Sequence, residues 1–274
     1  LKFALAITCF EDRYKYLYVT LDSIYKMEHI ELLDVYVYLV GEQLQPNIYK
    51  VCSEFPIKSI TSTIYRSIDE YFYVLNELFN TKTYDMVIMS ADDIIFRSDT
   101  LAYLLSLDNS VFMDFLCPHC LECNGKIVCE IGDNGHVFRY SNFQFMRDSF
   151  KAGFLSFVKL PREDSKGSET ILNRFLTKPN YKLYIDAFMC SIVHYNKALC
   201  RFPKTPYVAH FGFKGFSNII SNVDKVEEIV FSGDKSTWLS NILSFVKTES
   251  FLSLEGMSRA FYPKDFDYEV RYSY

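Results

Sequence analysis

The strongest constraint on this chain is a strand–helix–strand pattern at its start. Lys2–Cys9 (KFALAITC) is a short apolar run with the length and flanks of a buried strand. Phe10–Arg13 (FEDR) breaks it, and Tyr14–Lys26 then carries Leu17, Leu21, Ile24 and Tyr25 at helical spacing. Asp34–Val40 (DVYVYLV) alternates as a β-rich segment and stops at Gly41-Glu42. Two strands joined through a helix form a right-handed parallel crossover.

The pattern continues. Tyr71–Phe79 reads as a helix and Tyr84–Ser90 (YDMVIMS) as another buried strand, with Asp92-Asp93 just past its end. Thr100–Leu107 starts a helix, with Ser98 or Asp99 as its N-cap. Phe112–Leu116 and Lys126–Ile131 read as strands joined across an Asn124-Gly125 turn. Glu169–Leu176 is helical after a polar loop, Lys182–Asp186 is a short strand, and Tyr207–Phe211 is a last apolar strand running into Gly212 and Gly215. Residues 222–274 read as mostly helical, then irregular. Alternating β and α elements imply an α/β fold, a mostly parallel sheet covered on both faces. Ligands of such sheets bind outside the carboxyl ends of the strands. Cys9–Arg13, Gly41-Glu42 and Ala91–Asp93 each follow a strand, so all three are expected at that rim.

With 29 basic and 34 acidic residues the net charge is −5, and there is no long basic run, so nucleic acid is not the expected partner. No apolar run reaches the roughly 18–20 residues of a membrane span, and no signal pattern appears, so the reading is a cytoplasmic protein with reduced cysteines.

Adjacent carboxylates at a strand end need something positive between them or water around them. A divalent cation is one such partner: Mg²⁺ or Mn²⁺ takes one or two carboxylates together with phosphate oxygens and water. A capped, solvated turn before a helix is the other reading of Asp92-Asp93.

The surrounding segments favour the first. Tyr84–Phe96 (YDMVIMSADDIIF) resembles the part of GT-A-type glycosyltransferases that ends in an Asp-x-Asp or Glu-Asp-Asp motif. The N-terminal LAITCFEDRYKYLYVTLDSIYKM resembles the first strand, nucleotide-binding loop and helix of family 2 glycosyltransferases. The resemblance implies a Rossmann-like GT-A domain over residues 1–215; residues 216–274 fall outside it and read as a mainly helical appendage. It also implies that Thr8, Cys9, Phe10, Glu11 and Arg13 meet the nucleobase and ribose, with Thr8 and Glu11 foremost. Glu42 becomes a base-binding acid. Asp92 would face the ribose or metal, and Asp93 would bind the metal. Residue 91 is Ala where the family often has an acid, which shifts the metal onto Asp93.

Val208–Gly215 (VAHFGFKG) resembles the His-Phe-x-Gly-x-x-Lys signature of glycogenin-like transferases, one residue out of step. Carried over, His210 joins the metal shell and Lys214 meets the diphosphate, while Gly212 and Gly215 let the backbone approach closely. His194 (SIVHYN) is a rival for the histidine role. Gly167–Phe175 (GSETILNRF) resembles the acidic motif beneath the acceptor site. Glu169 is then the candidate general base that deprotonates the acceptor hydroxyl, with Asp164 as alternate. Glu169 equally suits a first helical turn.

Phe115–Glu130 holds Cys117, Cys120, Cys123 and Cys129 around His119, enough ligands for zinc but at unusual spacing. Free thiols on a strand hairpin are the working view.

The expected function is transfer of a sugar from a UDP- or GDP-sugar to a glycan, protein or lipid acceptor, with Mn²⁺ or Mg²⁺ as helper. A nucleotidyltransferase shares the sheet and the metal but usually needs a Gly-rich loop after the first strand, where this chain has CFEDR. A degenerate, non-catalytic glycan- or partner-binding protein is the third reading, kept open by Ala91.

Overall fold

A computed structural model describes residues 1–10, 12–40, 45–63, 68–81, 83–111, 113–116, 121–123, 126–128, 135–151, 200–201, 203, 206–213 and 223–246. The α/β architecture expected from the sequence is the one observed. β1 (Phe3–Phe10), α1 (Tyr14–Ile24), β2 (Leu33–Val40), α2 (Pro46–Cys52), β3 (Ser59–Thr63), α3 (Ile68–Asn80) and β4 (Met86–Ala91) follow in order. After them come β5 (Ile94–Phe96), α4 (Thr100–Ser106), β6 (Met113–Phe115), β7 (Leu121–Cys123), β8 (Lys126–Val128), β9 (His136–Phe138) and α5 (Tyr140–Lys151). β10 (Cys200–Arg201), β11 (Val208–His210), α6 (Val223–Val230) and α7 (Lys235–Val246) complete the described elements.

Among the described residues the main sheet has seven strands, in the order β10-β6-β9-β4-β1-β2-β3. β1 pairs in parallel with β2 on one side and β4 on the other, and among these seven described strands β9 is the one that runs antiparallel. The chain winds outward from β1 through β2 to β3, then crosses back to place β4 on the opposite flank. The crevice between β1 and β4 is therefore the topological switch point, where ligands of open α/β sheets bind.

Side chains of β1 alternate between two cores, as the pleat requires. Phe3, Leu5, Ile7 and Cys9 pack with Leu17 and Leu21 of α1 and Ile48 and Val51 of α2. Ala4 and Ala6 face Val74, Leu75 and Leu78 of α3. The third core joins Tyr16 and Val19 of α1 to Phe211, Phe213, Val226, Val230 and Trp238, so α6 and α7 lie against α1. Among the described residues no helix is long and apolar enough to cross a membrane.

Two local expectations are corrected. Lys126–Val128 pairs with Leu121–Cys123 rather than with the 112–116 segment, in the register Cys123↔Lys126, and Asn124-Gly125 lie outside the described residues. Met113–Phe115 is buried throughout and belongs inside the main sheet, between β9 and β10. Asp99 does stand at the N-cap of α4, but its side chain makes no cap bond. Its carboxylate instead takes Arg97 in a fork, Nε at 2.5 Å and Nη2 at 3.0 Å. The buried guanidinium of Arg97 has the stronger need of that anion.

Candidate functional site

The register Thr8↔Ala91 brings the carboxyl ends of β1 and β4 side by side. The loop after β1 carries Arg13, and the turn after β4 carries Asp92 and Asp93. Both carboxylates are buried, Asp92 at 0% and Asp93 at 3% exposure.

α1 holds that turn in place. The Thr20 hydroxyl donates to the Asp92 carbonyl at 2.7 Å and accepts from the Ile94 N–H at 3.1 Å, and Ser23 accepts from the Phe96 N–H at 3.0 Å. Thr20 and Ser23 sit three apart on the buried face of α1, so two polar side chains in that face satisfy the Asp92 carbonyl and the Ile94 and Phe96 N–H groups. The signal for this in the sequence is the pair of polar residues within the apolar stripe of Tyr14–Lys26.

β11 arrives from far along the chain. It pairs antiparallel with β5, with His210 opposite Ile94, and the Phe211 N–H donates to the Asp93 carbonyl at 3.0 Å. This puts His210 Nε2 3.1 Å from Asp93 Oδ2. Gly212 follows, so close that a Cβ there would stand 2.1 Å from Asp93 Oδ2. The close approach expected of Gly212 is thus present, and it is to the carboxylate.

Arg13 completes the cluster. Nη2 lies 2.5 Å from Asp93 Oδ2 and Nη1 lies 3.1 Å from Asp92 Oδ1. Its guanidinium carbon sits 4.5 Å from the ring centre of Tyr16. Arg13, expected beside the nucleobase and ribose, spans the carboxylate pair. Burial opposes ionisation of Asp93, but the facing His210 and Arg13 outweigh it and hold the carboxyl well below the usual carboxylate range. Burial likewise opposes charge on Arg13, and Asp92 and Asp93 overcome it.

Thr8 is buried, its hydroxyl 3.5 Å from the Ser90 carbonyl. Cys9 lies wholly in the core beside α1, where burial first and Asp92 next push its thiol up, so any ligand contact it makes is through its backbone. Phe10 is 36% exposed at the strand end. Glu11, Glu42, Asp164, Glu169, His194 and Lys214 lie outside the described residues, as do Cys117, His119, Cys120 and Cys129.

Two carboxylates and an imidazole form a donor set that suits Mn²⁺ or Mg²⁺. Asp93 Oδ1 is buried and accepts no hydrogen bond among the described residues, which leaves it available to a cation. Against this, no group of three His, Cys, Asp or Glu side chains among the described residues is already gathered at metal-holding distances. The chemistry of the donors fits a divalent ion, and Arg13 is what stands among them.

No protein family matches the sequence, and no curated protein does. Solved structures of similar shape are distant in sequence. The glycosyltransferase GlyE of Streptococcus pneumoniae TIGR4 is 13% identical over 89% of this chain, with a TM-score of 0.45, and this chain spans 64% of its length. The galactosyltransferase LgtC, solved with donor and acceptor sugar analogs, is 11% identical over 93% of this chain and 97% of its own, with a TM-score of 0.44. A cytidylyltransferase from Leptospira borgpetersenii is 10% identical over 94% and 99%, with a TM-score of 0.45.

Proposed function

We propose that this chain transfers a sugar from a nucleoside-diphosphate sugar to an acceptor hydroxyl, with a divalent cation assisting. The observation that carries the reading is the buried Asp92-Asp93 pair at the β1/β4 switch point, facing Arg13 and His210. Buried carboxylates are costly unless a cation is part of their working state, and the crevice at the switch point is where a nucleotide lies in sheets of this kind.

In this reading Asp93, with His210 and Asp92, holds the Mn²⁺ or Mg²⁺. When bound, the ion offsets the charge of the diphosphate and stabilises it as a leaving group. Phe10, Thr8 and the backbone of Cys9 line the base and ribose side, with Glu11 and Glu42. Lys214 meets the diphosphate. Glu169, or Asp164, takes the acceptor proton. Residues 1–215 form the transferase unit and 216–274 its appendage.

The test is thermal stability with UDP or GDP, each with and without Mn²⁺, since a ligand of the native state raises the melting temperature. The reading expects a shift that needs nucleotide and metal together and is lost in Asp93→Asn. A shift with a nucleoside triphosphate but not a diphosphate points to nucleotidyl transfer. Absence of any shift with any nucleotide removes the enzyme reading.

A further inference from the structure

We infer that Arg13 is the resident counter-cation of the Asp92-Asp93 pair, a guanidinium that a divalent ion must displace in order to bind. The inference rests on the transferase reading in taking the pair as a cation site.

One guanidinium reaches both carboxylates, Nη1 at 3.1 Å from Asp92 Oδ1 and Nη2 at 2.5 Å from Asp93 Oδ2. It therefore occupies the position between the two anions that any ion shared by them would take. The guanidinium takes one oxygen of each carboxylate, and Asp93 Oδ1 accepts no hydrogen bond among the described residues. A divalent ion on the same carboxylates would lie against the guanidinium, and like charges in a poorly solvated site repel strongly. Arg13 and the ion thus compete for one place.

The guanidinium is also steadied from behind. It lies over the Tyr16 ring, whose hydroxyl donates to Glu227 Oε1 of α6 at 2.5 Å and whose face stacks on Phe211 at 5.6 Å. Its side chain keeps 15% exposure, so it stands at the lip of the crevice, between solvent and the buried carboxylates. A guanidinium released there has the planar fork that matches phosphate oxygens. Metal and diphosphate would then enter by exchange of partners, and metal alone would bind weakly.

The experiment is calorimetric titration of MnCl₂, without nucleotide, into the wild-type protein, Arg13→Gln and Arg13→Lys. Arg13→Gln is expected to bind Mn²⁺ at least about tenfold more tightly than wild type. Arg13→Lys, a point charge that cannot bridge both carboxylates, is expected to fall between them. Equal or weaker Mn²⁺ binding by Arg13→Gln overturns the inference, as does no binding by any of the three. Should Arg13→Gln fail to fold, Arg13→Lys decides: tighter binding than wild type supports the inference, and unchanged binding overturns it. UDP and GDP titrated into the same proteins with and without Mn²⁺ separate the two ideas. A tenfold gain in Mn²⁺ affinity with no nucleotide binding keeps the role of Arg13 and removes the transferase reading. Nucleotide binding with no gain in Mn²⁺ affinity does the reverse.

Discussion

Gly212 packs its backbone directly onto the carboxylate of Asp93: a Cβ at residue 212 would lie 2.1 Å from Oδ2 and 3.0 Å from the carboxyl carbon. The carboxylate has little room to retreat, because Arg13 and His210 hold the same oxygen. Gly212→Ala is therefore expected to cost about 1–3 kcal/mol, the usual range for overpacking. It should also lose the thermal shift with nucleotide and Mn²⁺. Urea unfolding measures the first and differential scanning fluorimetry the second. A stable variant with its shift intact would show that Asp93 can move freely.

Thr20 bridges two backbone groups of the carboxylate turn, as donor to Asp92 and acceptor for Ile94. Thr20→Val keeps the shape and strands both groups in a buried site, at about 1–3 kcal/mol for each unsatisfied group. Thr20→Ser retains the hydroxyl and is expected to recover most of that loss. Equal stability of the valine and serine variants by urea unfolding would refute the bridging role.

Arg97 is fully buried, paired with Asp99 and lying 3.8 Å over the Tyr207 ring, which also stacks on Tyr103 at 4.2 Å. It anchors the start of the segment that delivers His210, since the Arg97 N–H donates to the Tyr207 carbonyl. Arg97→Ala leaves Asp99 buried without this cation, and breaking such a pair costs about 3–5 kcal/mol. Denaturant midpoints should fall accordingly. A loss near that of an exposed pair, under about 1 kcal/mol, would contradict this account.

Asp34 lies far from the crevice. Partial burial opposes its ionisation, but the Tyr84 hydroxyl at 2.7 Å and the Lys2 ammonium at 2.9 Å outweigh that and lower its pKa. A carboxyl whose folded pKa is depressed adds stability that is complete above its unfolded value, about 3.9, and that fades as pH falls through the folded value. Asp34→Asn should therefore be less stable than wild type at neutral pH, and the gap should close as pH falls below about 4. Stability measured from pH 3 to 7 checks it; a gap constant across that range would rule the linkage out.

Cys9 and Cys52 are buried free thiols, and burial pushes Cys52 up to about 12. Because the thiolate is the reactive form, both should resist iodoacetamide in the native protein at pH 8 and react on unfolding. Peptide mapping by mass spectrometry reads this. Rapid native alkylation of Cys9 would place its thiol on the crevice side.

The alternating strands and helices, and with them the parallel sheet and the rim where loops gather, were legible in the sequence because hydrophobic periodicity is a local property. Asp92-Asp93 after a buried strand was legible for the same reason, and so was a glycine beside His210 that permits close approach. What the local pattern did not carry was who partners whom. Thr20 and Ser23 look like ordinary interruptions of an apolar helix face until β5 lies beside them. β5 itself is three residues long, too short for periodicity, and it exists through its antiparallel pairing with β11. That register sets His210 and Gly212 against Asp93. Arg13 is one cation in a loop by its sequence, and becomes the bridge between two buried carboxylates once β1 and β4 are neighbours. Sequence determined which elements form and where charge gathers. Tertiary structure decided which charges meet, because desolvation and register act only after distant segments have been brought into contact.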